Sequence, residues 1–217
     1  MSGNMTINRV LVLAPHTDDG EFGCGGTIAK FIEQGTDVYY VAFSAAEKSV
    51  PEGFSSDVLR REVKAATHVL GIPSENLIIF DYEVRDFPWH RQHILEDLVR
   101  LQRELRPDLV LLPSSHDIHQ DHSTIASEGL RAFKTTSILG YELPWNNLTF
   151  NTTSFVFLED KHVRRKVEAL HCYESQQFRR YASEEFIYSL ARTRGTQIGA
   201  EYAEAFEVVR WILNGRF

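Results

Sequence analysis

An open α/β sheet of mostly parallel strands is the fold that this 217-residue sequence predicts. Three observations predict it. Short aliphatic runs alternate with amphipathic stretches through the first half of the chain, residues that stop helices stand between them, and two polar clusters directly follow two of the apolar runs.

The runs at 9–15 (RVLVLAP), 37–44 (DVYYVAFS), 77–82 (LIIFDY) and 108–115 (DLVLLPSS) have the length and β-branched content of buried parallel strands. Between them, 24–35, 57–70 and 90–106 carry apolar residues at helical spacing. Gly35 and Gly71 sit where C-terminal caps belong, and Pro107 bars the third helix from continuing. This β-α-β-α-β-α-β order implies right-handed crossovers. Residues 51–56 read as an ordinary loop, and no repeat, low-complexity tract or linker interrupts the pattern. A single domain over 1–217 is therefore expected, a length at which one core is common. In the second half, SILGYE and SFVFLE read as strands, 160–172 and 184–194 as helices, and AFEVVRWIL as a last strand or short helix. These form a small C-terminal extension.

Composition narrows the function classes. The chain is 43% hydrophobic and 24% charged, ordinary for a globular protein, and its formal charge of −7 argues against a nucleic-acid partner. Cys24 and Cys172 are the only cysteines and lie far apart, so neither a disulfide framework nor a cysteine zinc site follows. The N-terminus lacks an apolar signal core, and no window reaches the roughly 18 apolar residues of a membrane span. A cytoplasmic location is expected, and the sequons at Asn147 and Asn151 then carry no meaning.

The fold class places the chemistry. In the doubly wound order 3-2-1-4-5, strands 1 and 4 are neighbours, and ligands bind in the crevice beyond their carboxyl ends. The loop after strand 1 is HTDDGE, and the loop after strand 4 is SSHDIHQDH. Adjacent Asp18 and Asp19 repel each other and need a cation or a proton nearby. His116, His119 and His122, with Asp117 and Asp121, fall on the same crevice from about a hundred residues away. Imidazole with carboxylate suits zinc, with Fe2+, Mn2+ or Co2+ as competitors, and a hydrolytic zinc site keeps one open position beside three protein ligands.

The stretches APHTDDGEFGCGG and PDLVLLPSSHDIHQDH together resemble the LmbE-like/PIG-L family of zinc-dependent N-deacetylases, which act on N-acetylglucosaminyl compounds. RREVKAATHVLGI, ESQQF and YAEAFEVVRW are similar to family segments of lower specificity. By motif position the resemblance implies His16, Asp19 and His122 as zinc ligands and Asp18 as the general base. His119 would face the reaction as a cation, kept charged by Asp121. Spacing alone does not say which of Asp18 and Asp19 is the ligand. The resemblance also implies an N-acetyl sugar or sugar conjugate as substrate and leaves a homo-oligomer open. Two positions depart from the pattern: Thr17 replaces a proline, and Gly20 stands where the family has Glu, with Glu21 next to it.

Weaker candidates remain. Arg91, after strand 3, is either a grip on a substrate phosphate or hydroxyl or an exposed helix arginine, and Glu142 is similarly balanced. Cys24 at a helix start is either a reactive thiol or a small core residue. The aromatics of YELPWNN either meet a sugar ring or pack internally. The glycines of GEFGCGG lack the third glycine of a dinucleotide fingerprint and are expected to let backbone approach the polar loop. The rivals to a deacetylase are a metal-dependent phosphohydrolase, since Asp-His pairs also serve two-metal sites, and a sugar-binding relative without catalysis.

Overall fold

A computed structural model describes residues 7–212. Seven strands form one sheet in the order β3-β2-β1-β4-β5-β7-β6. Strands β1 (Arg9–His16), β2 (Asp37–Ser44), β3 (Leu77–Ile79), β4 (Leu109–Pro113) and β5 (Ser137–Tyr141) are parallel, in the expected order 3-2-1-4-5. The extension adds β7 (Tyr202–Arg210), antiparallel to β5, and β6 (Ser154–Leu158), antiparallel to β7. AFEVVRWIL thus contributes a strand rather than a helix. Its last residue, Leu213, lies outside the described residues.

Period-two alternation on β1 explains the layering. Val10, Val12 and Ala14 point into one core with α1 (Asp19–Glu33), α2 (Val58–Leu70), α5 (Asp160–His171) and α6 (Glu184–Thr196). Leu11 and Leu13 point into the other, with α3 (Arg91–Leu105) and α4 (Gln120–Ala132). Both faces of the sheet are covered, so its central strands read as continuous apolar runs. Among the described residues no helix is long and apolar enough to cross a membrane.

Two boundaries differ from the sequence reading. The run at 77–82 is a strand only through Ile79. Helix α1 begins at Asp19, five residues early, and breaks its helical conformation at Cys24 (φ −148°, ψ 24°). Its glycines answer to packing: a Cβ on Gly20 would lie 2.5 Å from Tyr40, and one on Gly23 would lie 2.2 Å from Tyr141. The helix approaches the sheet closely enough that two tyrosine rings occupy the space of side chains. Cys24 itself is fully buried, and burial pushes its thiol well up, which makes it a core residue.

The break exposes backbone N–H groups that Glu204 of β7 satisfies, accepting from Gly26 (3.1 Å) and Thr27 (2.7 Å). Lys166 of α5 completes this junction, 2.7 Å from Glu204 and 2.7 Å from the Phe22 carbonyl. Both side chains are buried, so removing the lysine strands a carboxylate. Lys166→Met is expected to destabilise the protein by about 3 kcal/mol, a loss of roughly 10 °C in Tm. Thermal denaturation checks this, and a fall below about 2 °C would show that Glu204 finds another partner.

Candidate metal and catalytic site

The carboxyl ends of β1 and β4 lie side by side, paired through Val10–Leu109, Leu11–Val110 and Val12–Leu111. His16 ends β1, and Asp19 opens α1. The His16 N–H donates to Asp19 Oδ2 at 2.8 Å, which folds the carboxylate back over the strand end. Across the crevice, Asp117 organises the loop before α4. Its Oδ1 accepts from the His119 N–H at 2.8 Å, and its backbone carbonyl accepts from the Ser123 hydroxyl at 2.7 Å.

Three donor atoms converge between these loops. His16 Nδ1 lies 3.1 Å from Asp19 Oδ2, His122 Nε2 lies 3.2 Å from the same oxygen, and the two nitrogens are 3.3 Å apart. Bonds of 2.0–2.1 Å arranged tetrahedrally put neighbouring ligand atoms about 3.3 Å apart. The triangle therefore has the size a zinc-like ion requires. The far nitrogen of each ring has a carboxylate partner: His16 Nε2 meets Asp121 Oδ2 at 2.9 Å, and His122 Nδ1 meets Asp117 Oδ2 at 2.7 Å. Such carboxylate–histidine pairs fix the tautomer and aim of metal-binding imidazoles.

Electrostatics gives the same reading. Burial works against charging either imidazole, yet Asp19 and Asp121 raise His16 to about 8, and Asp19 and Asp117 raise His122 to about 10. Burial would likewise raise Asp19, but His122 and His16 hold it well below the ordinary carboxylate range. The carboxylates create a field that demands positive charge, which protons or a cation can supply.

A third imidazole, His119, joins His16 and His122 in a group with donor atoms within 4.8 Å of one another, a group able to hold a metal. The Asp19 oxygen makes the tighter triangle, and His119 has another commitment. It caps α4, its Nδ1 accepting from the Asp121 N–H at 3.2 Å. A ring that accepts there is neutral, with its proton on Nε2. Burial and the neighbouring His122 and His16 also lower its pKa. Asp121 does favour a charged His119, as expected, but burial and the two other imidazoles outweigh it. The Asp121 carboxylate instead accepts from His16, from the Arg85 N–H at 2.6 Å and from the Phe87 N–H at 3.4 Å.

Asp18 precedes α1 but makes no cap hydrogen bond. It lines a cavity of about 280 Å³ together with His16, Asp19, His119 and His122. Burial and the adjacent Asp19 push Asp18 up to about 6, opposed by Arg179. A carboxylate free of structural duty, with a pKa near neutrality, is suited to taking a proton. One cavity wall is aromatic, with Trp145 stacked on Tyr181 at 3.8 Å and both rings edge-on to Phe22. Trp145 thus packs internally and lines the cavity as well.

Glu21 occupies a different position from the motif residues. It is fully buried behind the loop, hydrogen-bonded to the Tyr40 hydroxyl and, at 3.0 Å, to the Tyr173 hydroxyl. Both hydroxyls also lie within 2.8 Å of the Thr17 carbonyl. Burial raises Glu21 to about 8, so it carries a proton at neutral pH, and the three groups brace the peptide that precedes Asp18.

Arg91 and Glu142 are not among the residues that line the cavity. Arg91 lies 2.5 Å from the buried Glu128, a carboxylate it shares with Arg131. Glu142 is paired with Arg194 of α6. His116 is also outside, its Nδ1 2.8 Å from Glu207. The sequence reading passed over Asp117 as a histidine partner, and over Arg85, Gln176, Arg179 and Tyr181 as cavity walls. The ESQQF segment, quoted for its family likeness, was the one signal near the last three.

Residues 11–133 match the PIG-L family, described as GlcNAc-PI de-N-acetylase. The chain is 30% identical to diacetylchitobiose deacetylase of Thermococcus kodakarensis over 134 residues. That stretch covers 58% of this chain and 49% of the relative, so the match spans about half of the relative's length. Among solved structures, N,N'-diacetylchitobiose deacetylase from Pyrococcus horikoshii superposes with a TM-score of 0.78 at 23% identity, covering 94% of this chain and 84% of the other. GalB, the 4-carboxy-2-hydroxymuconate hydratase of Pseudomonas putida KT2440, also superposes at 0.78, with 20% identity over 97% of this chain and all of the other. At such identities the likeness is one of fold, and this fold carries both names.

Proposed function

The chain belongs to the PIG-L family, and on that premise we propose that it is a zinc-dependent hydrolase acting in the cytoplasm. Its reaction would remove the N-acetyl group from an N-acetylated amino sugar or its glycoconjugate, releasing acetate. The observation that carries this reading is the donor triangle of His16, Asp19 and His122 beside an uncommitted Asp18. The two nitrogens and one carboxylate oxygen fit zinc, with Fe2+, Mn2+ or Co2+ as alternatives. A divalent ion held there would supply Lewis acidity toward water and an amide carbonyl.

The protein's own groups divide the remaining work. Asp18 is the base that receives a proton from the attacking water and returns it to the amine nitrogen as the C–N bond breaks. His119, neutral with hydrogen on Nε2, donates to the carbonyl oxygen as negative charge develops there. Asp121 and Asp117 hold His16 and His122 in register. The phosphohydrolase reading is weaker: a two-metal site needs bridging carboxylates, whereas Asp117 and Asp121 are turned toward the outer nitrogens of the histidines. A purely sugar-binding role leaves Asp18 and His119 without employment.

Acetate release tests the reading. A panel of N-acetyl sugars, nucleotide sugars and sugar conjugates should yield acetate from at least one member, and a chelator should stop it. Acetate yield from none, or yield indifferent to chelator, would refute the proposal. His119→Ala should then lower kcat much more than it raises KM, because a donor aimed at the oxyanion acts mainly in the transition state. The loss should be about 3 kcal/mol, roughly a hundredfold or more in rate. Near-normal turnover would assign the oxyanion to another group.

A further inference from the structure

Asp18 stands at the N-cap of α1, where an aspartate ordinarily turns its carboxylate onto the N–H of the second or third helical residue. The positive end of the helix attracts it there as well. Asp18 makes no such bond and lines the cavity instead. The second helical residue is Gly20, and its N–H is already occupied, donating to the Tyr40 hydroxyl at 3.1 Å. The cap of α1 comes from another strand.

Tyr40 is rigidly placed for this duty. It is fully buried in β2, opposite Val12 of β1 on one side and Leu77 of β3 on the other. Its hydroxyl donates to the Thr17 carbonyl at 2.8 Å, which leaves the oxygen to accept from Gly20. The Tyr173 hydroxyl donates to the same carbonyl at 2.7 Å, and Glu21 meets both hydroxyls.

Position 20 makes the approach possible. A Cβ there would lie 2.5 Å from Tyr40 Cε2 and 2.7 Å from its Oη, closer than a carbon can stand. A Glu at this position, as in the motif the chain resembles, would displace the ring. Gly20 and the Tyr40 cap are therefore one feature, and the departure from the motif has a physical reason.

We propose that Tyr40 is a positioning residue: by capping α1 in place of Asp18, its hydroxyl keeps the Asp18 carboxylate in the cavity, free to act as the base. The kinetic consequence rests on the deacetylase reading above; the exchange of caps does not. Without the hydroxyl, the buried Gly20 N–H loses its acceptor, and the N-cap carboxylate is the group placed to replace it.

Tyr40→Phe keeps the ring and removes the hydroxyl. A crystal structure of the variant should show the Asp18 carboxylate turned onto the Gly20 N–H. On an N-acetyl compound from the acetate panel, kcat should fall about tenfold or more while KM and metal content hold, because only the base is diverted. In the Asp18→Asn background the same substitution should change the residual rate by less than about twofold, since no base remains to divert. Gly20→Ala uncaps the helix by a second route, its Cβ displacing the ring, and should divert Asp18 likewise.

Tyr173→Phe is the control for a merely structural role. It takes a hydroxyl from the same carbonyl and the same glutamate but leaves Gly20 capped. Asp18 should then stay in the cavity, and kcat should fall less than in Tyr40→Phe. Equal losses in the two tyrosine variants, a Tyr40→Phe loss of the same factor with and without Asp18, or an Asp18 carboxylate that stays in the cavity of Tyr40→Phe overturns the proposal. Acetate release by the wild-type protein from none of the N-acetyl compounds would refute the deacetylase reading alone, and the crystal structures would still decide the cap.

Discussion

Alanine in place of His122 is expected to empty the metal site and abolish acetate release. His122 Nε2 is the vertex that joins the two loops, 3.2 Å from Asp19 and 3.3 Å from His16, so its loss leaves two donors on one loop. Buffer anions and water do not replace a missing imidazole at fixed geometry, and three protein ligands are the usual minimum for a hydrolytic zinc centre. Metal analysis of purified protein should give one divalent ion per wild-type chain and a small fraction of that in His122→Ala. Asp121→Asn supplies the graded comparison. It leaves the triangle intact but weakens the hydrogen bond that aims His16, so metal affinity should fall about 10- to 100-fold. Full occupancy in His122→Ala would refute the assignment, because His122 belongs both to the triangle and to the alternative group with His16 and His119. An Asp121→Asn variant that binds metal normally but has a shifted pH profile would restore the original pairing of Asp121 with His119.

These roles were unequally legible in the sequence. The parallel sheet and its switch point followed from aliphatic runs and helix stops, because burial on both faces writes a strong local pattern. That topology put the β1 and β4 loops on one crevice, and the structure brings His16, Asp19 and His122 together there. Which carboxylate serves which ring was beyond spacing. Asp121 and Asp117 each lie within five residues of both His119 and His122, and only the turn into α4 decides the pairing. Arg91 misled for a related reason. It follows strand 3 as a crevice residue should, but the buried charge of Glu128 draws it to the flank. Arg85, six residues earlier, reaches the cavity through a left-handed backbone that no local propensity announces. The glycines of α1 were visible, yet the reason for Gly20 and Gly23 lay in Tyr40 and Tyr141, and that for Gly25 and Gly26 in Lys166 and Leu158.

Asp18→Asn should separate catalysis from metal binding more cleanly than any other change. The Asp18 carboxylate lies outside the donor triangle and holds no helix cap, so an amide of the same shape disturbs neither. An amide cannot accept the proton that leaves the attacking water, and loss of a positioned base typically costs 10²- to 10⁴-fold in rate. Turnover should fall by about that factor while the metal content stays at one ion per chain. Asp19→Asn should do the reverse and lose metal first, because the Asp19 oxygen touches both histidines. The pH profile adds an independent check. Burial and the neighbouring Asp19 raise Asp18 to about 6, so the base is protonated as pH falls through that region and kcat/KM declines with it. A cation in the triangle favours the charged carboxylate and moves this acidic limb to lower pH. In Asp18→Asn the limb should vanish, leaving residual activity flat on the acid side until metal is lost. If the variant instead lost its metal while Asp19→Asn kept it, the two aspartates would exchange roles. If it kept both metal and rate, the proton would have to go to a group other than Asp18.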